Sequence, residues 1–265
     1  MVCMLTGCDL VGKVFTGKYG TFIVWRKISK KAVVIFADGC IKETYISQIK
    51  KGTVKNPYFP CVQGVGYLGE GKYSPYPNGT KGGCSKEYKC WSSMLERCYS
   101  KAFKARNSAY DGCTVCEEWH NFQNFAKWCN EQSDFRVDGS QLDKDLKLIG
   151  NRMYSPETCL FVSGEVNNFL VGLTKRSTLP LGVYLYKKTS LTKRYKAEMS
   201  CKDLGVWSMH ETKEGAHKAW QVFKADRARS LADKQNSLDV KMALLRFSDR
   251  LEHDALLGIE SKFVI

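Results

Sequence analysis

The apolar residues of this chain change period along its length, and that change restricts it to a fold in which strands and helices are grouped rather than alternating. Thr21-Phe22-Ile23-Val24-Trp25, Ala32-Val33-Val34-Ile35-Phe36 and residues 41–46 alternate as strands do, separated by Lys/Ser and Asp38-Gly39 turns. A small antiparallel barrel or curled sheet is the natural reading, with an accessory binding or docking role, because this stretch has no polar constellation suited to chemistry. Trp91, Met94, Leu95 and Cys98 then recur at helical spacing, as do Trp119, Phe122, Phe125 and Trp128. Two amphipathic helices are expected there, packed on each other with the aromatic residues as core. Strand patterns return at residues 181–188, 194–199 and 202–207. A helix follows with Ala216, Ala219, Trp220 and Phe223 on one face, Thr212 as N-cap and Glu214 in the first turn. Leu238, Val240, Ala243, Leu244, Phe247 and Leu251 mark a last amphipathic helix, packed on the body or on a second copy as a homodimer. The fold class is α+β.

A length of 265 residues with 43% hydrophobic side chains is ample for packed cores, in one to three domains. The net charge of +14 favours a polyanionic partner, nucleic acid or an anionic membrane surface. No apolar run approaches the roughly 20 residues that span a bilayer. Residues 1–8 lack both a basic start and a sustained apolar stretch, so a cytoplasmic location is expected. In that compartment the twelve cysteines are thiols rather than disulfides. Cys113-x-x-Cys116 alone has zinc-ligand spacing. Cys90 and Cys98, or His120, would complete a structural Zn2+ site; the alternative is a set of core thiols. Residues 64–83, rich in Gly, Tyr, Pro, Ser and Asn, read as a long loop or linker, with a boundary near residue 80.

The chemistry-bearing stretch is Leu142-Asp143-Lys144-Asp145, Gly150-Asn151, Tyr154-Ser155-Pro156-Glu157-Thr158-Cys159 and Asn167-Asn168. Taken alone, Asp-Lys-Asp followed by Gly-Asn is a solvated turn with local ion pairs or a hairpin that holds a cation. Upstream stand Trp91-x-x-Met94-x-x-Arg97-Cys98-Tyr99, Tyr110-x-Gly112, Val115-Cys116-x-x-Trp119, Phe122, Phe125 and Trp128. In this order the residues resemble phage and mobile-element proteins of the HNH (ββα-metal) endonuclease type, over roughly residues 88–170. The resemblance implies two short strands and a helix gripping one Mg2+ or Mn2+ ion. Asp143 would be a metal ligand, Asn167 or Asn168 the second, and Asp143, Lys144 and Asp145 the catalytic group. Lys144 occupies the slot of the family's histidine base, and Thr158 that of its middle asparagine. Lysine is normally protonated near neutral pH and serves as a base only where its surroundings favour the neutral amine. Otherwise it steadies phosphate charge while Asp145 or the metal activates water. None of His120, His210, His217 and His253 lies in the hairpin, although His120 could reach it from the preceding helix. Arg97, an arginine in a mostly apolar stripe, needs a partner: the hairpin, a DNA phosphate, or Glu117 or Glu118.

The later strands resemble the APETALA/ethylene-response-factor DNA-binding domain in Gly182-Val183, Arg194-Tyr195-Lys196-Ala197, Leu204-Gly205 and Glu211-Thr212-x-Glu214-x-Ala216-x-x-Ala219. That family lays a three-stranded sheet in the major groove of double-stranded DNA. By position Tyr184, Tyr186, Lys188, Arg194, Lys196 and Trp207 would be the contacts, cations on phosphates or guanine edges and rings on sugars or methyls. Together the resemblances imply a phage-encoded, homing-type DNA endonuclease acting in the host bacterial cytoplasm. The alternative is an HNH-fold DNA-binding protein that has lost its chemistry and serves as a scaffold or host-interfering factor. The expected layout is a β-barrel-like module at 1–75 with an unknown protein partner, an HNH-like ββα-metal core with flanking helices at 84–172, a three-stranded sheet plus helix at 178–232, and an amphipathic helix at 233–265.

Overall fold

A computed structural model describes residues 10–170, 178–186, 194–199 and 205–262. In chain order the strands and α-helices are β1 (Val14–Gly17), β2 (Gly20–Ile28), β3 (Lys31–Phe36), β4 (Ile41–Tyr45), α1 (Ile46–Lys50), α2 (Lys86–Tyr99), α3 (Lys101–Lys104), β5 (Thr114–Val115) and α4 (Phe122–Glu131). There follow β6 (Gln141–Asp143), β7 (Met153–Tyr154), β8 (Leu160–Val162), α5 (Gly164–Leu170), β9 (Val183–Leu185), β10 (Tyr195–Met199), β11 (Val206–His210), α6 (Lys213–Asp233) and α7 (Leu238–Leu257). The protein is mixed α+β, and no helix among the described residues is long and apolar enough to cross a membrane. Two compact units emerge, residues 1–101 with 117–127 and residues 102–116 with 128–265.

In the first unit β1 to β4 form an antiparallel meander in sequence order. The expected barrel does not form: β1 and β4 are not paired with each other, so the sheet stays open. Closure is not needed to bury its inner face, because Leu10, Ile49 and Val54 cover Phe22, Val24, Ala32, Val34 and Phe36. Strand alternation explains this inward set, one residue in two. The loop at 64–83 is not a divider between modules. Gln123 Nε2 donates to the carbonyls of Leu68 and Tyr73, Tyr73 N donates back to Gln123 Oε1, and Tyr67 exchanges backbone bonds with His120 and Phe122. These bonds tie the loop to the aromatic helices, and the unit runs on to residue 101. Trp91 Nε1 donates to the Trp119 carbonyl at 2.7 Å, and the Trp91 and Phe122 rings lie 5.4 Å apart. The two aromatic stripes thus meet, although the second begins as a 3-10 turn at Glu117–His120.

In the second unit β6 pairs antiparallel with β8, placing Asp143 opposite Leu160, and α5 follows directly. β7 pairs parallel with β5. The three-stranded sheet has the order β11-β10-β9 and packs on α6, against which α7 folds back as a helical hairpin. Among the described residues the third strand is Val206–His210, reaching past residue 207 because it pairs with β10 as far as Tyr195↔His210; residues 202–204 of the expected strand lie outside the described residues. Thr212 caps α6 as expected, its hydroxyl accepting from Gly215 N. One continuous core joins Leu160, Val166 and Phe169 of the hairpin to Val183 and Ala197 of the sheet and to Trp220, Leu244 and Phe247 of the helices. Gly182 shows how close that packing is: its φ is +70°, and an added Cβ would lie 1.9 Å from Trp220 Cδ1. Gly182→Ala should therefore destabilise the protein by about 2–3 kcal/mol, read as a lowered urea midpoint with an unchanged slope.

Candidate functional site

Asp143 ends β6 with its side chain buried. Its Oδ1 accepts from the backbone N–H groups of Asp145 and Leu146 at 3.0 and 2.7 Å, and these bonds form the tight turn after the strand. Oδ2 makes neither bond. Burial raises this carboxyl from an ordinary 3.8 to about 6, against the opposing pull of the Leu146 N–H. A mostly buried carboxylate whose turn bonds use only one of its oxygens is suited to a cation.

The residue beside it does something other than expected. Lys144 is not solvated; 3% of its side chain is exposed, and its ammonium donates to Asp145 Oδ1 at 2.6 Å and to the Asn151 carbonyl at 3.0 Å. Asn151 returns the contact, its Nδ2 donating to the carbonyls of Lys144 and Met153 while Met153 N donates to its Oδ1. Lys144, Asp145 and Asn151 therefore clasp the base of the 144–153 loop. Asp145 is raised by burial, with Lys144 as the main influence holding it down and Arg152 a further one. Thr158 acts in a comparable way at the next turn, its hydroxyl donating to the Met153 carbonyl at 2.7 Å and accepting from Ser155 N at 3.2 Å.

α5 follows β8, the partner strand of β6. Gln141 and Asp143 share one face of β6, and the Gln141 amide nitrogen lies 3.8 Å from where a Cβ on Gly164 would be. Asn167 and Asn168 sit three and four residues further along α5, on the side that Gly164 presents. Val166, Phe169 and Leu170 are buried in the core, while Asn167 is half-buried and Asn168 exposed. Neither asparagine side chain bonds to another described residue. Carboxylate and amide oxygens are hard donors of the kind that Mg2+ and Mn2+ take.

Other expected positions divide between the two units. Arg97 and His120 belong to the first unit, where Arg97 Nε donates to the Ser93 carbonyl and His120 Nε2 lies 3.3 Å from the Tyr99 hydroxyl. Cys90 and Cys98 also belong there, while Cys113 and Cys116 fall in the second unit. Burial pushes the Cys90 thiol up to about 11, away from the thiolate that zinc requires. Among the described residues no group of three or more His, Cys, Asp or Glu side chains is placed to hold a metal.

The sheet's face away from α6 is the second candidate surface. Val183, Ala197 and Met199 point to the core, so the pairings Lys196↔Tyr184, Lys196↔Met209 and Glu198↔Trp207 belong to the outer face. Tyr186 N donates to the Arg194 carbonyl, which continues the row. The Lys196 ammonium lies 3.0 Å from Glu198 and 5.5 Å from the Trp207 ring centroid, and Trp207 is 60% exposed. Lys188 lies outside the described residues. Sequence reasoning missed Glu198 and Met209. Strand parity with Arg194 and Lys196 would have found the first, whereas the third strand's extension past residue 207 hid the second. It also missed Arg152, beside Asp145.

No protein-family profile, curated protein or solved structure matches the chain.

The hairpin and this sheet are locked together. Arg227 pairs with Glu165 of α5 at 2.6 Å, the Lys224 ammonium donates to the Phe169 carbonyl, and the Phe169 and Phe247 rings stand 5.5 Å apart.

Proposed function

We propose that this chain is a sequence-directed, divalent-metal-dependent DNA endonuclease of the HNH type, homing-like and phage-encoded. The observation that carries the reading is the buried carboxylate of Asp143 at the end of β6, with Asn167 and Asn168 on the helix that follows its partner strand and a cationic, aromatic sheet face on the same packed core. Asp143 and one or both asparagines would hold the metal. When bound, such an ion polarises a scissile phosphate and acidifies a coordinated water. Lys144, Asp145 and Asn151 keep the loop closed so that Asp143 stays aimed. Arg194, Lys196 and their aromatic neighbours hold the duplex and read its edge. Because hairpin and sheet share one core, cuts fall at a set distance from the bound sequence.

A second reading has its own observation. Lys144, in the slot of the HNH histidine, is engaged on Asp145 and Asn151, which favours a DNA-binding protein of this fold without hydrolytic power. Supercoiled plasmid and phage genomic DNA, incubated with magnesium, manganese or chelator, separate the two. Metal-dependent nicking with discrete ends supports the enzyme, and binding without cutting on every substrate rejects it. In either case Arg194→Ala with Lys196→Ala should weaken duplex binding at least about tenfold and reduce the slope of log K against log salt by about 2. Unchanged affinity and slope by fluorescence anisotropy would remove DNA binding from this sheet.

A further inference from the structure

The outward face of the N-terminal sheet is built unlike an ordinary solvent face. Direct partners Val14↔Ile23, Ile23↔Ile35 and Ile35↔Ile41 draw an apolar row across all four strands. Beside it the register slips between Val24 and Arg26, so Trp25 is an extra residue and leaves the strand on the same side as Arg26, which pairs with outward Val33. On the far edge Lys31 pairs with Tyr45. Trp25 and Tyr45 are 58% and 53% exposed. Each ring has its own cation: the Arg26 guanidinium lies 5.5 Å from the Trp25 centroid and the Lys31 ammonium 5.4 Å from that of Tyr45. Glu43 stands on this face too, neutralised by Lys31 at 2.6 Å. Over residues 10–55 nine lysines and Arg26 face only Asp38 and Glu43, so much of the chain's +14 is concentrated here.

We infer that this face binds an unpaired nucleic-acid strand, with bases stacked on Trp25 and Tyr45 and phosphates held by the surrounding cations. The charge selects a polyanion. The exposed rings select one whose building blocks present flat π faces, which single strands offer and a duplex hides between its base pairs. Rings with adjacent cations form stacking platforms that tolerate any base, so little sequence preference is expected. The inference stands whether or not the hairpin of the second unit cuts DNA.

The test is fluorescence anisotropy of the full chain with a labelled oligothymidylate of about sixteen nucleotides, alongside its duplex form, phosphatidylglycerol vesicles and polyglutamate. Trp25→Ala and Tyr45→Ala should each weaken oligothymidylate binding at least about fivefold with little change in salt slope, while Trp25→Phe stays within about twofold of the parent. Arg26→Ala should instead lower the slope by about 0.7. These side chains lie outside the core, and matching circular dichroism spectra and melting temperatures verify that the variants fold. Oligothymidylate affinity unchanged in both alanine variants would overturn the inference. So would alanine variants that lose binding to vesicles or polyglutamate but keep it for the oligonucleotide, since the face would then dock a membrane or an acidic protein.

Discussion

Asp143→Asn is expected to reduce metal-dependent nicking at least about a hundredfold and, in chelator, to make the protein more stable above pH 6. Removing even an outer partner of a metal ligand costs about 10–100-fold, so loss of the anionic ligand itself should cost no less. The stability gain has a separate origin. The substituted amide would still offer an Oδ1 to the N–H groups of Asp145 and Leu146, so the turn survives. What disappears is a buried negative charge. The folded-state carboxyl titrates near 6 instead of 3.8, so the folded protein holds this proton more tightly than the unfolded chain does. Below about pH 4 both states are protonated and parent and variant should match. Between about pH 4 and 6 the parent loses stability as the buried carboxyl ionises, and above that the deficit levels off at about 3 kcal/mol. Urea unfolding at pH 4 and pH 8 in chelator gives the two limits. Added magnesium should close the gap at pH 8 by stabilising only the parent. A variant less stable than the parent at pH 8 without metal would make Asp143 a structural residue, and the cation site would fall with it.

Strand and helix patterns carried much of this fold because each is a local property. Inward Phe22 and Val24, the Thr212 cap and the Ala216–Trp220 face of α6 all follow from period and chemistry within a few residues. Pairing between distant segments is not local, and there the reading failed. Alternation in β1 and β4 does not say whether those strands meet, so an open meander read as a barrel. The third strand reaches past residue 207 because its end is decided by Tyr195 across the sheet, not by the residues around Trp207. Gln123 ties down a glycine-rich stretch that looks like a linker by itself. At the candidate site Asp143 stood out from its neighbours in sequence. The clasp around it did not: a local ion pair with Asp145 was foreseeable, but lysine is ordinarily solvated and nothing near Lys144 in the chain announces its burial or the Asn151 carbonyl on its ammonium.

That convergence leads to the second large effect. Lys144→Met should destabilise the protein by about 3–5 kcal/mol at neutral pH, the usual consequence of taking one partner from a buried ion pair. Methionine fills much of the volume, so the loss reports charge rather than a cavity. Asp145 would be left facing the interior without the ammonium that holds its carboxyl down, and the Asn151 carbonyl would lose a donor. Acidification should shrink the penalty, since Asp145 can then take a proton. Asp145→Asn added to Lys144→Met should recover about half of the lost stability, a coupling that a double-mutant cycle in urea measures directly. The same pair of variants tests whether Lys144 takes part in the proposed cleavage. If it only closes the loop, the double variant, folded well below its melting temperature, should nick plasmid within about tenfold of the parent, because Asp143, Asn167 and Asn168 are untouched. A double variant that is stable, binds DNA normally and does not cut would place Lys144 or Asp145 in the chemical step, and the clasp would then be holding a reactive group rather than only a loop.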